Sequence, residues 1–309
     1  MSGWGRIRRI AARGVEYCVR SLDPLDSAPK GARDRAVSAP PRAPVVLLHG
    51  FSGSSEDWGP LAASLAGEGY SLHAIDLPGH GATAIPTEAR RFGPVETARD
   101  LSAIAGSLGL GSAHWVGYSM GGRIALHLAL ADSLRMASLT LESTSPGIAG
   151  AEERAARRDE DDALAERIET RGIAWFAEHW ESLPLFGSQA ALPEETRDAL
   201  RARRLRNRAG GLAGSLRGAG QGSQVDLTPR LESIQCPALL LTGALDPKYA
   251  ALSKRMAAAI PGAEHVTIPG AGHNVHLEKP EAFARALLDH WSRFDQASRR
   301  ESSITTYKE

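Results

Sequence analysis

The residues with the greatest chemical potential lie in Gly117-Tyr118-Ser119-Met120-Gly121. An apolar run, His114-Trp115-Val116, leads into this Gly-x-Ser-x-Gly segment, and a helical pattern (Ile124, Leu126, Leu128, Leu130) leaves it. A sharp strand-to-helix turn of this kind holds a serine hydroxyl clear of its surroundings, and small residues on either side let strand and helix pack closely. The turn also sets Ser119 at a helix N-terminus, whose partial positive charge favours a developing anion. A hydroxyl is a weak nucleophile or base until a neighbour takes its proton. The chemistry therefore needs a histidine, and the histidine needs a carboxylate to orient it.

Ten histidines compete for that role. His273, in Pro269-Gly270-Ala271-Gly272-His273-Asn274, sits in a loop just after the last expected strand and is favoured. His276 is its main rival; His49 and His80, in His49-Gly50-Phe51 and Pro78-Gly79-His80-Gly81, read as residues that shape loops. For the carboxylate, Asp246 follows the apolar run Leu239-Leu240-Leu241, and it can also be read as the N-cap of a helix starting near Tyr249. Asp226 and Asp76 are weaker candidates. The order Ser119…Asp246…His273 is the chain order that this type of serine turn requires. Donors for an oxyanion should be the backbone N–H of Met120, the residue after the serine, and the N–H of Phe51 in His49-Gly50-Phe51-Ser52-Gly53.

Positioning these groups at one edge calls for a parallel sheet. Short apolar runs at Val45–His49, Leu72–Asp76, Ala113–Val116, Ser138–Glu142, Ala238–Gly243 and Glu264–Ile268 read as buried strands. Helical patterns alternate with them at Trp58–Ala66, Val95–Leu108, Met120–Ala131, Tyr249–Ile260 and Pro280–Phe294. The fold class expected is α/β, a doubly wound and mostly parallel sheet. The alternation breaks between Ser145 and Gln224, where charged helical segments (Glu152–Thr170, Ile173–Trp180, Glu194–Arg208) suggest an inserted helical cap. The run Gly210–Gly222 reads as a loop or weak helix closing that cap. The division expected is an N-terminal arm and loop (1–43), a core in two parts (44–147 and 225–297), the cap (148–224) and a polar, frayed tail (298–309).

Composition narrows the class of function. The chain of 309 residues has 36 basic and 36 acidic side chains, so no net charge calls for nucleic acid or an anionic membrane as partner. Lysines occur only at 30, 248, 254, 279 and 308, so nearly all the positive charge is arginine, the better residue for gripping carboxylates. Cys18 and Cys236 match no metal or redox spacing and read as small buried hydrophobes. A reducing, cytoplasmic compartment is the default expectation. No run approaches the ~18 apolar residues of a membrane span. The basic N-terminus (Arg6, Arg8, Arg9, Arg13) lacks the apolar run of a signal peptide.

Several segments together resemble one family. They are Leu48-His49-Gly50-Phe51-Ser52-Gly53 with Trp58, Asp76-Leu77-Pro78-Gly79-His80-Gly81, and Gly117-Tyr118-Ser119-Met120-Gly121-Gly122-Arg123. Leu141-Glu142-Ser143-Thr144-Ser145-Pro146-Gly147 follows, then in the cap Glu153-Arg154-Ala155-Ala156-Arg157-Arg158, Trp180-Glu181-Ser182-Leu183-Pro184-Leu185-Phe186 and Arg204-Leu205-Arg206-Asn207. Gly272-His273-Asn274-Val275-His276-Leu277-Glu278 closes the set. Over residues 44–295 the chain resembles the 2-succinyl-6-hydroxy-2,4-cyclohexadiene-1-carboxylate synthases of menaquinone biosynthesis, which have the α/β-hydrolase fold.

The resemblance implies a lyase rather than a hydrolase. Pyruvate would be eliminated from 2-succinyl-5-enolpyruvyl-6-hydroxy-3-cyclohexene-1-carboxylate, with the serine, activated by histidine, removing a carbon-bound proton. The oxyanion donors would then hold an enolate, and no metal or organic cofactor is implied. A substrate with three carboxylates needs fixed cations; by motif position Arg123, Arg157 and Arg204 bind them, while Tyr118 and Trp180 line the pocket. Arg123 also lies one helical turn past Ser119. Two other readings share the same triad or fold: an esterase or C–C bond hydrolase, and a non-catalytic ligand-binding protein.

Overall fold

The computed structural model describes residues 4–24 and 42–305. Strands β3 (Val45–Leu48), β4 (Leu72–Ile75), β5 (Ala113–Tyr118), β6 (Met136–Glu142), β7 (Ala238–Gly243) and β8 (Glu264–Ile268) pair in parallel. They match the expected runs closely: β3 to β7 are buried almost throughout and leave near-continuous hydrophobic stretches, whereas β8, at the sheet edge, buries only Ile268. Two N-terminal strands, β1 (Arg6–Ala12) and β2 (Val15–Leu22), complete the sheet, whose order is β1-β2-β4-β3-β5-β6-β7-β8.

Helices cover both faces. Residues of α2 (Pro94–Ser107), α3 (Met120–Ala131) and α7 (Pro247–Ala259) pack on one side, where Leu101, Ile104, Ile124 and Leu128 meet Val46, Leu48, Trp115 and Leu240. On the other side α1 (Gly59–Gly67) and α9 (Pro280–Thr305) bring Leu61, Leu65, Phe283 and Trp291 against Val45, Leu47, Val116 and Leu241. Neighbouring strand residues thus divide between the two cores, as the two-residue period of a strand dictates. The tail expected to fray from Ser298 continues α9 to Thr305, and residues 306–309 lie outside the described part. No helix among the described residues is long and apolar enough to cross a membrane.

The N-terminal segment differs from the expected arm and loop. Residues Arg6–Ala12 (β1) and Val15–Leu22 (β2) form an antiparallel hairpin, and β2 pairs antiparallel with β4. Arg13 (φ 47°) and Gly14 (φ 91°) both have positive φ, as a tight two-residue hairpin turn requires. Arginines on exposed positions of β1 hide the strand signal, while Val15, Tyr17 and Val19 carry it on β2. The remainder of the expected loop, residues 25–41, lies outside the described part. A buried polar cluster fastens the hairpin to α2: the Asp100 carboxylate accepts the Tyr17 hydroxyl at 2.7 Å and Arg91 Nη2 at 2.6 Å.

Three α-helices lie between β6 and β7: α4 (Ala151–Glu181), interrupted at Gly172 (φ 82°), α5 (Glu194–Leu205) and α6 (Ala209–Ala219). Ile168 and Phe176 of α4 pack on Leu212 and Leu216 of α6 in a separate small core. α6 occupies most of the glycine-rich run that was expected as a loop or weak helix. Its glycines serve close packing: a Cβ on Gly211 would lie 2.2 Å from the Gly79 carbonyl oxygen, and one on Gly214 would lie 2.4 Å from the Phe92 ring.

Removing the carboxylate at Asp100 would leave the buried Tyr17 phenol without its acceptor and strip the buried Arg91 Nη2 of its shortest hydrogen bond. Asp100→Ala should therefore cost about 3–5 kcal/mol in urea unfolding; a loss below about 1 kcal/mol would show that the hairpin is not fastened through this cluster.

Candidate active site

Parallel register brings the strand ends to one edge. Leu48 is aligned with Gly117, Tyr118 with Glu142, Glu142 with Leu241, and Gly243 with Ile268. The chain leaves β3 towards β4 on one side and returns to β5 on the other, so the loop after β3 and the turn after β5 flank a switch point, where open α/β sheets hold ligands.

Ser119 occupies the turn between β5 and α3 with φ 49° and ψ −105°, a conformation costing a non-glycine residue about 1–3 kcal/mol. The surroundings enforce it. The Ser119 N–H donates to the Glu142 carbonyl at 2.8 Å. A Cβ on Gly117 would lie 2.6 Å from the Gly121 oxygen, and one on Gly121 would lie 2.3 Å from the Leu48 oxygen. The two motif glycines are thus sites where backbone meets backbone.

The loop between β8 and the short helix α8 (Val275–Glu278) presents His273, which is buried. Its Nδ1 lies 2.7 Å from Asp246 Oδ2 and its Nε2 lies 3.3 Å from Ser119 Oγ. A carboxylate only accepts, so Nδ1 carries the proton and the neutral ring turns the lone pair of Nε2 towards the serine hydroxyl. Asp246 makes both contacts: Oδ1 accepts the Tyr249 N–H at 3.2 Å as the cap of α7, while Oδ2 accepts from His273. The Tyr249 ring stands edge-on to His273 at 4.5 Å.

The other candidates lie elsewhere. His276 bonds to Glu142 at 2.6 Å and stacks on Trp58 at 3.9 Å. His49 Nε2 accepts the Leu77 N–H, and His80 Nε2 accepts the Ser52 N–H, so both brace loops. Burial without a compensating charge pushes His80 down to about 3, keeping it neutral. Asp76 accepts the Ser55 and Ala82 N–H groups, and Asp226 caps Thr228.

Ser119 and His273 open into a cavity of about 520 Å³, a volume suited to a small molecule, whose walls include Phe51, Tyr118, Met120, Arg123, Arg157 and Trp180. Neither the Phe51 nor the Met120 amide donates to a protein acceptor among the described residues. Arg123 is buried, and its hydrogen bond runs to the neutral Gln224 at 3.0 Å; it forms no ion pair with a carboxylate among the described residues. Burial pushes its guanidinium down to about 10, so it stays charged at neutral pH at an energetic cost that an entering anion would relieve. Arg157 is half-buried and paired with Asp161 at 2.9 Å. Arg204 stands apart from this cavity. It is buried against Glu181 (3.3 Å) and Gln189 (3.2 Å) and faces a 30 Å³ space that shares Phe51, Tyr118, Trp180 and Phe186 with the main one.

Sequence reasoning missed the cations Lys248 and Arg167, which line the Ser119 cavity. Lys248 could have been found from its place two residues past Asp246; Arg167 lies among many charged residues of α4 and carries no such signal. No cluster of three or more His, Cys, Asp or Glu side chains placed to hold a metal ion occurs among the described residues.

Residues 45–286 match the model of the Alpha/beta hydrolase family. The chain is 40% identical over 245 residues to a Bacillus subtilis (strain 168) protein provisionally named 2-succinyl-6-hydroxy-2,4-cyclohexadiene-1-carboxylate synthase, covering 79% of this chain and 89% of that one. It is 35% identical over 249 residues to the Salmonella heidelberg (strain SL476) protein of that name, covering 80% and 93%. The structure of MenH from S. aureus superposes with a TM-score of 0.80 at 34% identity, covering 84% of this chain and 96% of that one.

Asp246→Asn would face Nδ1 with an amide donor and move the ring proton to Nε2, where it blocks proton transfer from Ser119. Modification of Ser119 by a fluorophosphonate should slow by about a thousandfold or more with the fold intact; a rate near that of the parent protein would separate Asp246 from the reactivity of Ser119.

Proposed function

Since the chain belongs to the alpha/beta hydrolase family and, within it, to the 2-succinyl-6-hydroxy-2,4-cyclohexadiene-1-carboxylate synthases, we propose how its residues carry out that lyase reaction of menaquinone biosynthesis. The substrate, 2-succinyl-5-enolpyruvyl-6-hydroxy-3-cyclohexene-1-carboxylate, loses pyruvate in a 2,5-elimination. The observation that carries the assignment of residues is Arg123: a buried guanidinium with no acid partner among the described residues, in the same cavity as Ser119 and His273.

His273, held in one tautomer by Asp246, takes the Ser119 proton, and Ser119 Oγ removes the carbon-bound proton of the substrate. The C–H electrons move onto the succinyl carbonyl oxygen as an enolate, which accepts the Phe51 and Met120 N–H groups. Collapse of the enolate through the ring breaks the C–O bond to the enolpyruvyl group, which departs and becomes pyruvate. The proton taken from carbon remains with the Ser119–His273 pair until it is returned to solvent or to the leaving group.

Substrate carboxylates are bound by Arg123 and by Arg157, whose half-exposed guanidinium keeps donors beyond its bond to Asp161. Tyr118 and Trp180 form the apolar wall. Arg204 serves the third carboxylate from the adjoining space, behind Phe186 and Trp180. A cytoplasmic setting is part of the proposal, supported by the free cysteines, Cys18 buried and Cys236 half-buried.

Purified protein given the enolpyruvyl substrate should release pyruvate, followed by a coupled reduction, much faster than it cleaves nitrophenyl esters. Rapid ester cleavage without pyruvate would assign the site to hydrolysis. Arg123→Ala should lower kcat/KM by about 10–100-fold, the value of a charge-assisted hydrogen bond. Arg157→Ala and Arg204→Ala should follow in decreasing order, and an unchanged kcat/KM for Arg123→Ala would remove it from the site.

A further inference from the structure

Glu142 ends β6, the strand beside the one that carries Ser119, and its side chain is completely buried. A carboxylate withdrawn from water needs donors on its lone pairs, and both oxygens find them on one residue. Oε1 accepts the main-chain N–H of His276 at 3.0 Å, and Oε2 accepts His276 Nδ1–H at 2.6 Å. The carbonyl of the same Glu142 accepts the Ser119 N–H at 2.8 Å and the Thr144 hydroxyl at 3.1 Å. One residue therefore holds the serine's turn by its backbone and the histidine's loop by its side chain.

We infer that Glu142, through His276, is a positioning residue that sets the distance between Ser119 and His273. The inference rests on the reading of that pair as the acting groups.

The loop has two acidic anchors. Glu278 accepts the N–H groups of Gly272 (2.6 Å) and Asn274 (3.3 Å) on either side of His273, and Glu142 holds it at His276. The rings transmit the constraint: Trp58 stacks on His276 at 3.9 Å, and Tyr118 touches both His276 (5.2 Å) and His273 (5.5 Å). Without the carboxylate, two donors of His276 would be left unsatisfied where little water reaches. The loop relieves this by shifting towards solvent, and His273 shifts with it. The Ser119–His273 contact, already 3.3 Å, has no slack for such a shift.

The test reads Ser119 directly, without the lyase substrate. In reaction with a fluorophosphonate, Ser119 Oγ forms a bond to phosphorus, fluoride leaves, and the hydroxyl proton passes to His273. The rate should fall about tenfold or more in Glu142→Leu, because small misplacements of a reacting pair are costly. Glu142→Gln keeps an acceptor for the His276 N–H and can donate to the other tautomer of the ring, so its rate should stay within about threefold of the parent. His276→Ala, which removes the side-chain half of the tether, should slow modification about fivefold or more, and it decides the matter if Glu142→Leu does not fold. Thermal unfolding confirms that each variant is folded at the assay temperature. A folded Glu142→Leu or His276→Ala within about twofold of the parent rate would overturn the inference, as would a Glu142→Gln as slow as Glu142→Leu. A parent protein that fails to react at all would instead overturn the reading of Ser119 and His273.

Discussion

Ser119 sits at φ 49°, and much of the surrounding architecture exists to keep it there. The turn survives only because β5 and α3 meet backbone to backbone at Gly117 and Gly121, and because the Ser119 N–H is tied to the end of β6. The same close approach presses the start of α3 against the end of β3, so the Met120 amide and the Phe51 loop face one cavity. Strain at one residue thus fixes together a hydroxyl that opens into the cavity and a helix N-terminus beneath it. The aligned ends of β7 and β8 then deliver Asp246 and His273 from the other half of the sheet.

A turn of this kind serves nucleophiles and bases equally, and charge decides between the uses. Among the described residues the other buried arginines each pair with a carboxylate: Arg20 with Glu56, Arg91 with Asp100 and Arg204 with Glu181. Arg123 is the departure, buried one turn past Ser119 with a neutral glutamine as its hydrogen-bond partner. Burying a cation without a counter-ion is unfavourable unless a bound anion completes it. That arrangement suits a substrate bearing carboxylates and gives an apolar ester nothing.

Much of this was legible in the sequence, for physical reasons that vary by element. Buried parallel strands write themselves as apolar runs, so β3 to β7 could be placed with Ser119 and Asp246 at their ends, while His273 follows the half-buried edge strand β8. The hairpin of β1 and β2 was hidden because Arg6, Arg8 and Arg9 interrupt the apolar residues of the edge strand β1, which buries nothing before Ala12. α6 was obscured because glycine reads as flexibility, although its glycines mark contact with Phe92 and Gly79. The position of Arg204 behind Trp180 and Phe186 depends on how the cap packs, which no local pattern encodes. Glu142 did leave a trace, an acid closing a strand that is otherwise apolar and buried, but its partner His276 lies 134 residues away.

The central claim is that Ser119 removes a proton from carbon and does not attack the substrate. Single-turnover reaction with substrate deuterated at the carbon that loses its proton, combined with intact-protein mass spectrometry of quenched samples, tests this most directly. The account predicts a primary isotope effect on pyruvate formation and a protein mass that never changes during turnover. An adduct on Ser119 that forms and decays at the catalytic rate, with no isotope effect, would contradict it and restore the serine to the role of nucleophile.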